Sequence, residues 1–432
     1  MQHICTMLNR TIQPHITQPT EFSLHLKPYQ HYVLDNGTNV YAVEAGEQEV
    51  LMLELVFNAG NCYEDKNIIA ASTNFLLKNG TKNKTAFEIN EHFDFHGAYL
   101  NRSCYNETST ITLHCLNKHL HVLTPVITEL LTDAIFPEKE LAIYKQNQKQ
   151  RLEVNLKKCD FVANRLIDES LFGFHHPYGR YTSTLDYDAV DRESILNFYK
   201  QYYQAGNCKI FIAGKLPDDY QTILNKAFGT LPFNNTDLFQ KEFQAAPSAE
   251  KKLNIINDAN GVQAAVRIAR NFPNKHHPDF QKCLVLNNVF GGFFGSRLMS
   301  NIREDKGYTY GIHSYLQNHV HESAWMISTE CGRDVSAATV SEVYKEMLRL
   351  QDELIDAAEL ELVRNYMIGT LLGDLDGPFQ ILSRWKSYLL NNLTVDYFNS
   401  AIKTIKTVSA EELQTLAKKY LNPDEFFELV VV

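Results

Sequence analysis

Two segments of this chain, 218 residues apart, carry the same helix-then-strand pattern. Val190-Asp-Arg-Glu-Ser-Ile-Leu-Asn-Phe-Tyr-Lys-Gln-Tyr202 runs into the apolar stretch 208–213, and Val408-Ser-Ala-Glu-Glu-Leu-Gln-Thr-Leu-Ala-Lys-Lys-Tyr420 runs into 429–432. At the same offset Ile195 and Phe198 meet Leu413 and Leu416, and 210–212 meet 428–430, where only Glu428 breaks the apolar match. Ser409 and Glu412 have the spacing of a capping box, and apolar residues recur at helical spacing before each short β run. A period near half the chain is too long for a solenoid, and 432 residues exceed what one core usually serves. The repeat therefore predicts two homologous domains from a duplicated unit, against the plainer alternative of chance likeness between two common helix–strand units.

The stretch 232–252 is polar, carries Pro232 and Pro247 and lacks sustained periodicity. It reads as a linker between an N-terminal domain, 1–231, and a C-terminal domain, 253–432. In the first half, 32–34 and 40–43 flank Asp35-Asn36-Gly37-Thr38, a hairpin signal because Asn-Gly supplies positive φ. Residues 51–57 and 109–115 read as strands, and 67–78, 86–95, 120–134 and 138–173 as helices. The second half repeats the plan, with strands at 262–269, 309–316 and 323–330, helices at 279–289 and 297–303, and long helices after them. Strands and helices interleave without strict alternation, so the expected fold class is α+β: two homologous domains, each a mixed, mostly antiparallel sheet packed with helices.

The 41 basic and 51 acidic residues leave a net charge of −10, and no basic cluster reverses it locally, which argues against a nucleic-acid partner. No run approaches the ~20 apolar residues of a membrane span. The first fifteen residues show no apolar segment behind basic ones, so no secretory signal is read there, although a removed leader leaves export open. Eight scattered cysteines without a C-x-x-C pair read as free thiols of a reducing compartment, and the cytoplasm is the expected location.

Several local motifs stand in a telling order: Leu34-Asp-Asn-Gly-Thr38, Phe57-Asn-Ala-Gly-Asn-Cys-Tyr-Glu64, Leu77-Lys-Asn-Gly-Thr81, His176-Pro-Tyr-Gly179 and Gly292-Phe-Phe-Gly-Ser-Arg-Leu-Met-Ser-Asn-Ile-Arg303. Together with the duplication they make the chain, from about residue 30 onward, resemble the insulinase/pitrilysin (inverzincin) metallopeptidase family. Active members of that family carry H-x-x-E-H on the helix just before the L-x-x-G-T segment. Two His at i and i+4 share a helix face and reach one zinc, and the Glu between them is the general base. Counting back from Gly80 and Thr81 places that motif at Ala71-Ser-Thr-Asn74-Phe75. Ala71 and Phe75 offer no lone pair, and the Asn74 amide accepts no proton at neutral pH. The family's third ligand, a Glu, falls at 150–152 here, with Glu153 the nearest acid. Neither H-x-x-E-H nor H-E-x-x-H occurs elsewhere, so no metal and no catalytic residue is expected on this chain. His92 and His96 are spaced i, i+4, but Asp94 lies on another helix face. His175 and His176 read as turn residues, and the pairs His119/His121 and His319/His321 lack a third ligand nearby.

The resemblance also implies an Arg and a Tyr seven residues apart in the second domain, which bind substrate and stabilise the oxyanion at the scissile carbonyl. Arg303 and Tyr310 match, in Arg303-Glu-Asp-Lys-Gly-Tyr-Thr-Tyr310, where Gly307 ends a helix and a strand follows. The competing readings are Arg303 as a cap on its own helix carbonyls and Tyr310 as a plain strand aromatic, and Tyr308, at spacing five, is the lesser candidate. The resemblance implies a zinc-less subunit of a peptidase, inactive alone. It would supply substrate binding and transition-state stabilisation for peptides to a zinc-bearing homologous partner, as a heterodimer. Two alternatives stand beside it: a structural core-type subunit without proteolysis, as in respiratory complexes, and a stand-alone peptide-binding homodimer.

Overall fold

The computed structural model describes residues 17–233 and 243–432; the N-terminal stretch with Cys5, and 234–242 of the expected linker, lie outside them. Strands β1 (Gln30–Val33), β2 (Asn39–Glu44), β3 (Val50–Phe57), β4 (Tyr99–Cys104), β5 (Ser109–Leu116) and β6 (Cys208–Gly214) form a sheet in the order β1-β2-β6-β3-β5-β4. Strands β7 (Lys252–Ile255), β8 (Gln263–Phe272), β9 (Thr309–Asn318), β10 (Ser323–Gly332) and β11 (Phe427–Val431) form a second, in the order β7-β11-β8-β10-β9. Setting β1 aside, the two orders match strand for strand. In each, the pair β2–β6 or β7–β11 is parallel and every other pair is antiparallel. The fold is the duplicated α+β arrangement that the repeat predicts.

The first half carries α1 (Ile69–Leu76), α2 (Ala86–Phe95), α3 (Leu120–Asp133), α4 (Glu138–Asn155), α5 (Cys159–Phe172), α6 (Thr184–Ala189), α7 (Arg192–Tyr199) and α8 (Tyr220–Phe228). The second carries α9 (Phe280–Asn287), α10 (Ser336–Asp352), α11 (Ala357–Gly373), α12 (Pro378–Leu390), α13 (Val395–Thr407) and α14 (Ala410–Tyr420). Local chemistry explains several boundaries. Gly37 takes φ +85° in the β1–β2 hairpin, and full capping boxes start α2 at Thr85/Glu88 and α14 at Ser409/Glu412. The helical reading of 138–173 breaks at 156–158, so α4 and α5 are separate. Strands β4 and β7 were not foreseen, and β7 begins at Lys252, where the linker was expected to end.

That break lets α5 leave its own half. Ala163, Ile167, Leu171 and Phe172 pack with Ala265 and Ala269 of β8, Met326 of β10 and Leu429 of β11, all in the second sheet. The equivalent helix, α12, lies about 218 residues later and crosses the other way. Its Ile381, Leu382 and Trp385 share a core with Met52, Val56 and Phe211 of the first sheet. The opposite face of the first sheet, Leu51, Leu53, Leu55 and Phe57, packs under its own helices. Alternation along β3 thus serves two cores at once, which is why the strand reads as a continuous apolar run.

Polar contacts fix both crossings. Lys386 of α12 bonds both carboxylate oxygens of buried Glu54 on β3, at 2.9 and 2.7 Å, and Trp385 Nε1 donates to Lys27 O at 2.8 Å. Across the second sheet, buried Arg267 of β8 donates to Asn164 of α5 at 2.7 Å and to Glu330 at 2.8 Å. Lys386→Ala strands the Glu54 carboxylate; because Lys386 is itself partly exposed, a loss of about 2–3 kcal/mol is expected in urea unfolding. Asp168, on α5, accepts from Gln317 Nε2 at 3.5 Å, and burial pushes its carboxyl up to about 7 from 3.8. The folded state then keeps a proton that the unfolded chain has already released. Stability should fall as pH rises from 3.8 to about 7 and level off above. Asp168→Asn should flatten that slope in a pH series of denaturation midpoints.

Candidate functional site

The positions matched to the zinc motif lie on α1, beside the outer strand β4, and of the three only Asn74 is buried in the packing. Asn74 is buried, and its Nδ2 donates to Thr110 O at 3.3 Å and to the Tyr203 hydroxyl at 3.0 Å. Both amide donors are thereby engaged in holding α1 to β5 and to the segment after α7. Ser72, within the same turn, donates to Tyr144 of α4 at 3.2 Å. The Phe75 ring meets Tyr144 at 4.9 Å between centroids and stays 44% exposed on its other side. On α4, Leu141, Tyr144 and Leu152 are buried, so the third-ligand window presents an apolar side chain inward while Glu153 is exposed. A methyl, a carboxamide, a benzyl and an isobutyl group do not fit a zinc ion. Among the described residues no group of three His, Cys, Asp or Glu side chains converges as a metal site.

Four of the other candidate histidines, His92, His96, His176 and His319, make structural contacts. His92 Nε2 lies 3.2 Å from Val122 O and His96 Nδ1 2.8 Å from His92 O, so the i, i+4 pair is tied to main-chain acceptors. His176 is buried in the turn that follows α5, where its Nδ1 accepts from Tyr178 N at 3.1 Å. His319 stacks on Tyr178, 4.1 Å between centroids, and its Nδ1 pairs with Asn106 Nδ2 at 3.3 Å. The β9–β10 turn thus clasps the first half, with Val320 N donating to Glu107 at 3.3 Å. Beside this clasp a cavity of about 1030 Å³ opens between the halves, lined by Asn61, Cys104, Lys209, Lys275, His319 and Asn391 among others.

Arg303 and Tyr310 come together at the start of β9, the outer strand of the second sheet. The helical turn Met299–Asp305 ends at Gly307, whose φ of +67° reverses the chain. Arg303 Nε donates to Tyr310 O at 3.1 Å, its guanidinium lies 4.6 Å from the Phe294 ring centroid, and Glu304 stands 3.6 Å away. The link runs from side chain to main chain. The Tyr310 ring itself is 100% exposed. Tyr308, the lesser candidate, packs against the second core instead.

One residue that sequence reading passed over stands beside the end of α1 in the first half. Arg102 lies on β4, its Nη1 donates to Phe75 O, and its guanidinium is 5.4 Å from the Phe75 ring centroid. Burial lowers its pKa to about 10, and Lys78 nearby is lowered by burial and by the Arg102 charge. Nothing in Tyr-Leu-Asn-Arg-Ser-Cys signals a strand by apolar alternation, so the available clue was the arginine alone.

Two family descriptions match the chain: "Insulinase (Peptidase family M16)" over residues 40–176 and "Peptidase M16 inactive domain" over residues 189–367. A Bacillus subtilis (strain 168) protein described as "Uncharacterized zinc protease YmxG" is 24% identical over 413 residues, covering 93% of this chain and 98% of its own. A Helicobacter pylori (strain ATCC 700392 / 26695) protein described as "Non-peptidase homolog YmxG" is 23% identical over 384 residues, 85% of each chain. The crystal structure of a peptidase M16 inactive domain from Pseudomonas fluorescens shares the fold, with a TM-score of 0.84 at 22% identity, covering 93% of this chain and 98% of that one. Replacing the buried amide tests how far the old motif has become structural. Asn74→Ala should cost about 1–3 kcal/mol in chemical denaturation, because Thr110 O and the Tyr203 hydroxyl each lose a buried partner.

Proposed function

Because the chain belongs to the insulinase (M16) family of peptidases, we propose that it acts as a zinc-less subunit that binds peptide substrate beside a zinc-bearing homologous partner. In this reading the partner holds the metal and activates water. This chain contributes Arg303 and Tyr310 to the substrate carbonyl and half of the chamber wall. The single observation that carries the reading is the contrast between the two matched sites. Asn74 is built into the packing, whereas Tyr310 is a wholly exposed aromatic beside a guanidinium. An aromatic ring left in solvent stabilises nothing in the isolated chain, and such rings and arginines are the usual anchors of an interface or a ligand. A guanidinium and a phenol are also both suitable donors to developing negative charge.

The outer strand β9 supports peptide capture, since its free edge has main-chain groups that an extended chain can pair with. No helix among the described residues is long and apolar enough to cross a membrane. The seven described cysteines are free thiols, which suits a reducing compartment, and we place the protein in the cytoplasm.

The test mixes the purified chain with an insulinase-family homologue that carries H-x-x-E-H and assays an internally quenched peptide. The chain alone, with added zinc, should show no turnover, and the mixture should show it. Arg303→Ala should lower kcat of the mixture by about 100-fold or more, as loss of one oxyanion donor does. Turnover by the chain alone sinks the proposal. An Arg303→Ala mixture with full kcat would replace it with the scaffold reading.

A further inference from the structure

The outer edge of β4 carries an arginine whose charge no carboxylate answers among the described residues. Arg102 is half-buried and makes no salt bridge among the described residues. Of its five N–H donors, one hydrogen bond is made, to Phe75 O at the end of α1. Its Nε is buried and has no acceptor. Lys78, just past the end of α1, adds a second cation that senses the Arg102 charge, and the nearby acid, Asp94, acts on Lys78. This is unusual on a chain with ten more acidic than basic residues. A partly desolvated cation without a counter-ion is costly, and capping one helix carbonyl accounts for only a fraction of the guanidinium.

The strand geometry says where the missing anion would come from. Strand β4 has one neighbour, β5, so its other edge is open to a further strand. Arg102 and Leu100 share the face of β4 that looks toward α1, and Leu100 is part of the core beneath it. In an added strand, the residue directly opposite Arg102 projects its side chain to that same face, with Cβ atoms about 5 Å apart. The exposed side of Phe75 forms the floor beside it.

We propose that the free edge of β4 binds an extended peptide, and that Arg102, beside Phe75, selects an acidic residue at the position paired with it. This rests on the peptide-binding reading and specifies the substrate class: peptides with an aspartate or glutamate, gripped by a fixed guanidinium at the place of the lost metal motif. Arg102 acts here as a specificity residue.

The experiment compares two short, dye-labelled, β-prone peptides that differ only by a central Glu or Gln, titrated with the full chain and read by fluorescence anisotropy. The Glu peptide should bind about tenfold more tightly, and the gap should shrink in high salt. Arg102→Gln should abolish the gap between the two peptides, and Arg102→Lys should restore part of it. Equal binding of the two peptides by the unsubstituted chain overturns the selectivity and leaves peptide binding standing. A Glu preference that survives Arg102→Gln overturns it as well, because the acid is then read elsewhere. Binding of neither peptide overturns both the selectivity and the peptide-binding reading beneath it. The comparison of the two peptides on the unsubstituted chain decides the matter even where Arg102→Gln fails to fold.

Discussion

Each sheet in this protein buries its inner face under a helix lent by the other half, and the remaining architecture follows from that exchange. Strands β3 and β8 are apolar on both faces, so neither sheet can leave its inner face in water. The first sheet is covered by α12 and the second by α5, helices about 218 residues apart and thus the same element of the duplicated unit. Pulling the halves apart would expose both faces together, which makes the two copies of the unit one cooperative body. The buried charges on the two central strands have opposite signs: Glu54 on β3 pairs with Lys386 of α12, and Arg267 on β8 pairs with Glu330 of β10.

With the inner faces closed, the open edges are where the molecule can meet something else. A guanidinium lies against an aromatic ring near each outer strand: Arg102, on β4, with Phe75, and Arg303, on the helical turn before β9, with Phe294. Arg303 has Glu304 for company, whereas Arg102 pairs with no carboxylate among the described residues. The two outer edges therefore each carry a cation, in different surroundings.

Much of the fold was legible beforehand because its signals are local. Asn36-Gly37 demands positive φ, Ser409 and Glu412 cap a helix reciprocally, and the apolar run of β3 needs burial on both faces. The missed elements lack such signals. Strand β4 is polar and half exposed, and it exists because β5 pairs with it. Residues 138–173 read as one helix because helical periodicity is indifferent to which partner a helix covers; the break before Cys159 matters only once α5 reaches the second sheet.

The absence of zinc ligands at Ala71, Asn74 and Phe75 was determined by residue identity alone. A methyl, a carboxamide and a benzyl group lack the required lone pairs or basicity in any conformation, so no fold could restore them. The spacing of Arg303 and Tyr310 was equally plain, since seven residues across a glycine-terminated helix form a local structure. Their manner of meeting, side chain to main chain with the phenol left in solvent, was decided by tertiary structure. So was the pairing of Arg102 with Phe75, 27 residues apart in the chain. It depends on β4 docking against β5 and on α1 packing over the same face, and that long-range choice of neighbours is set by the burial of surfaces rather than by any local pattern.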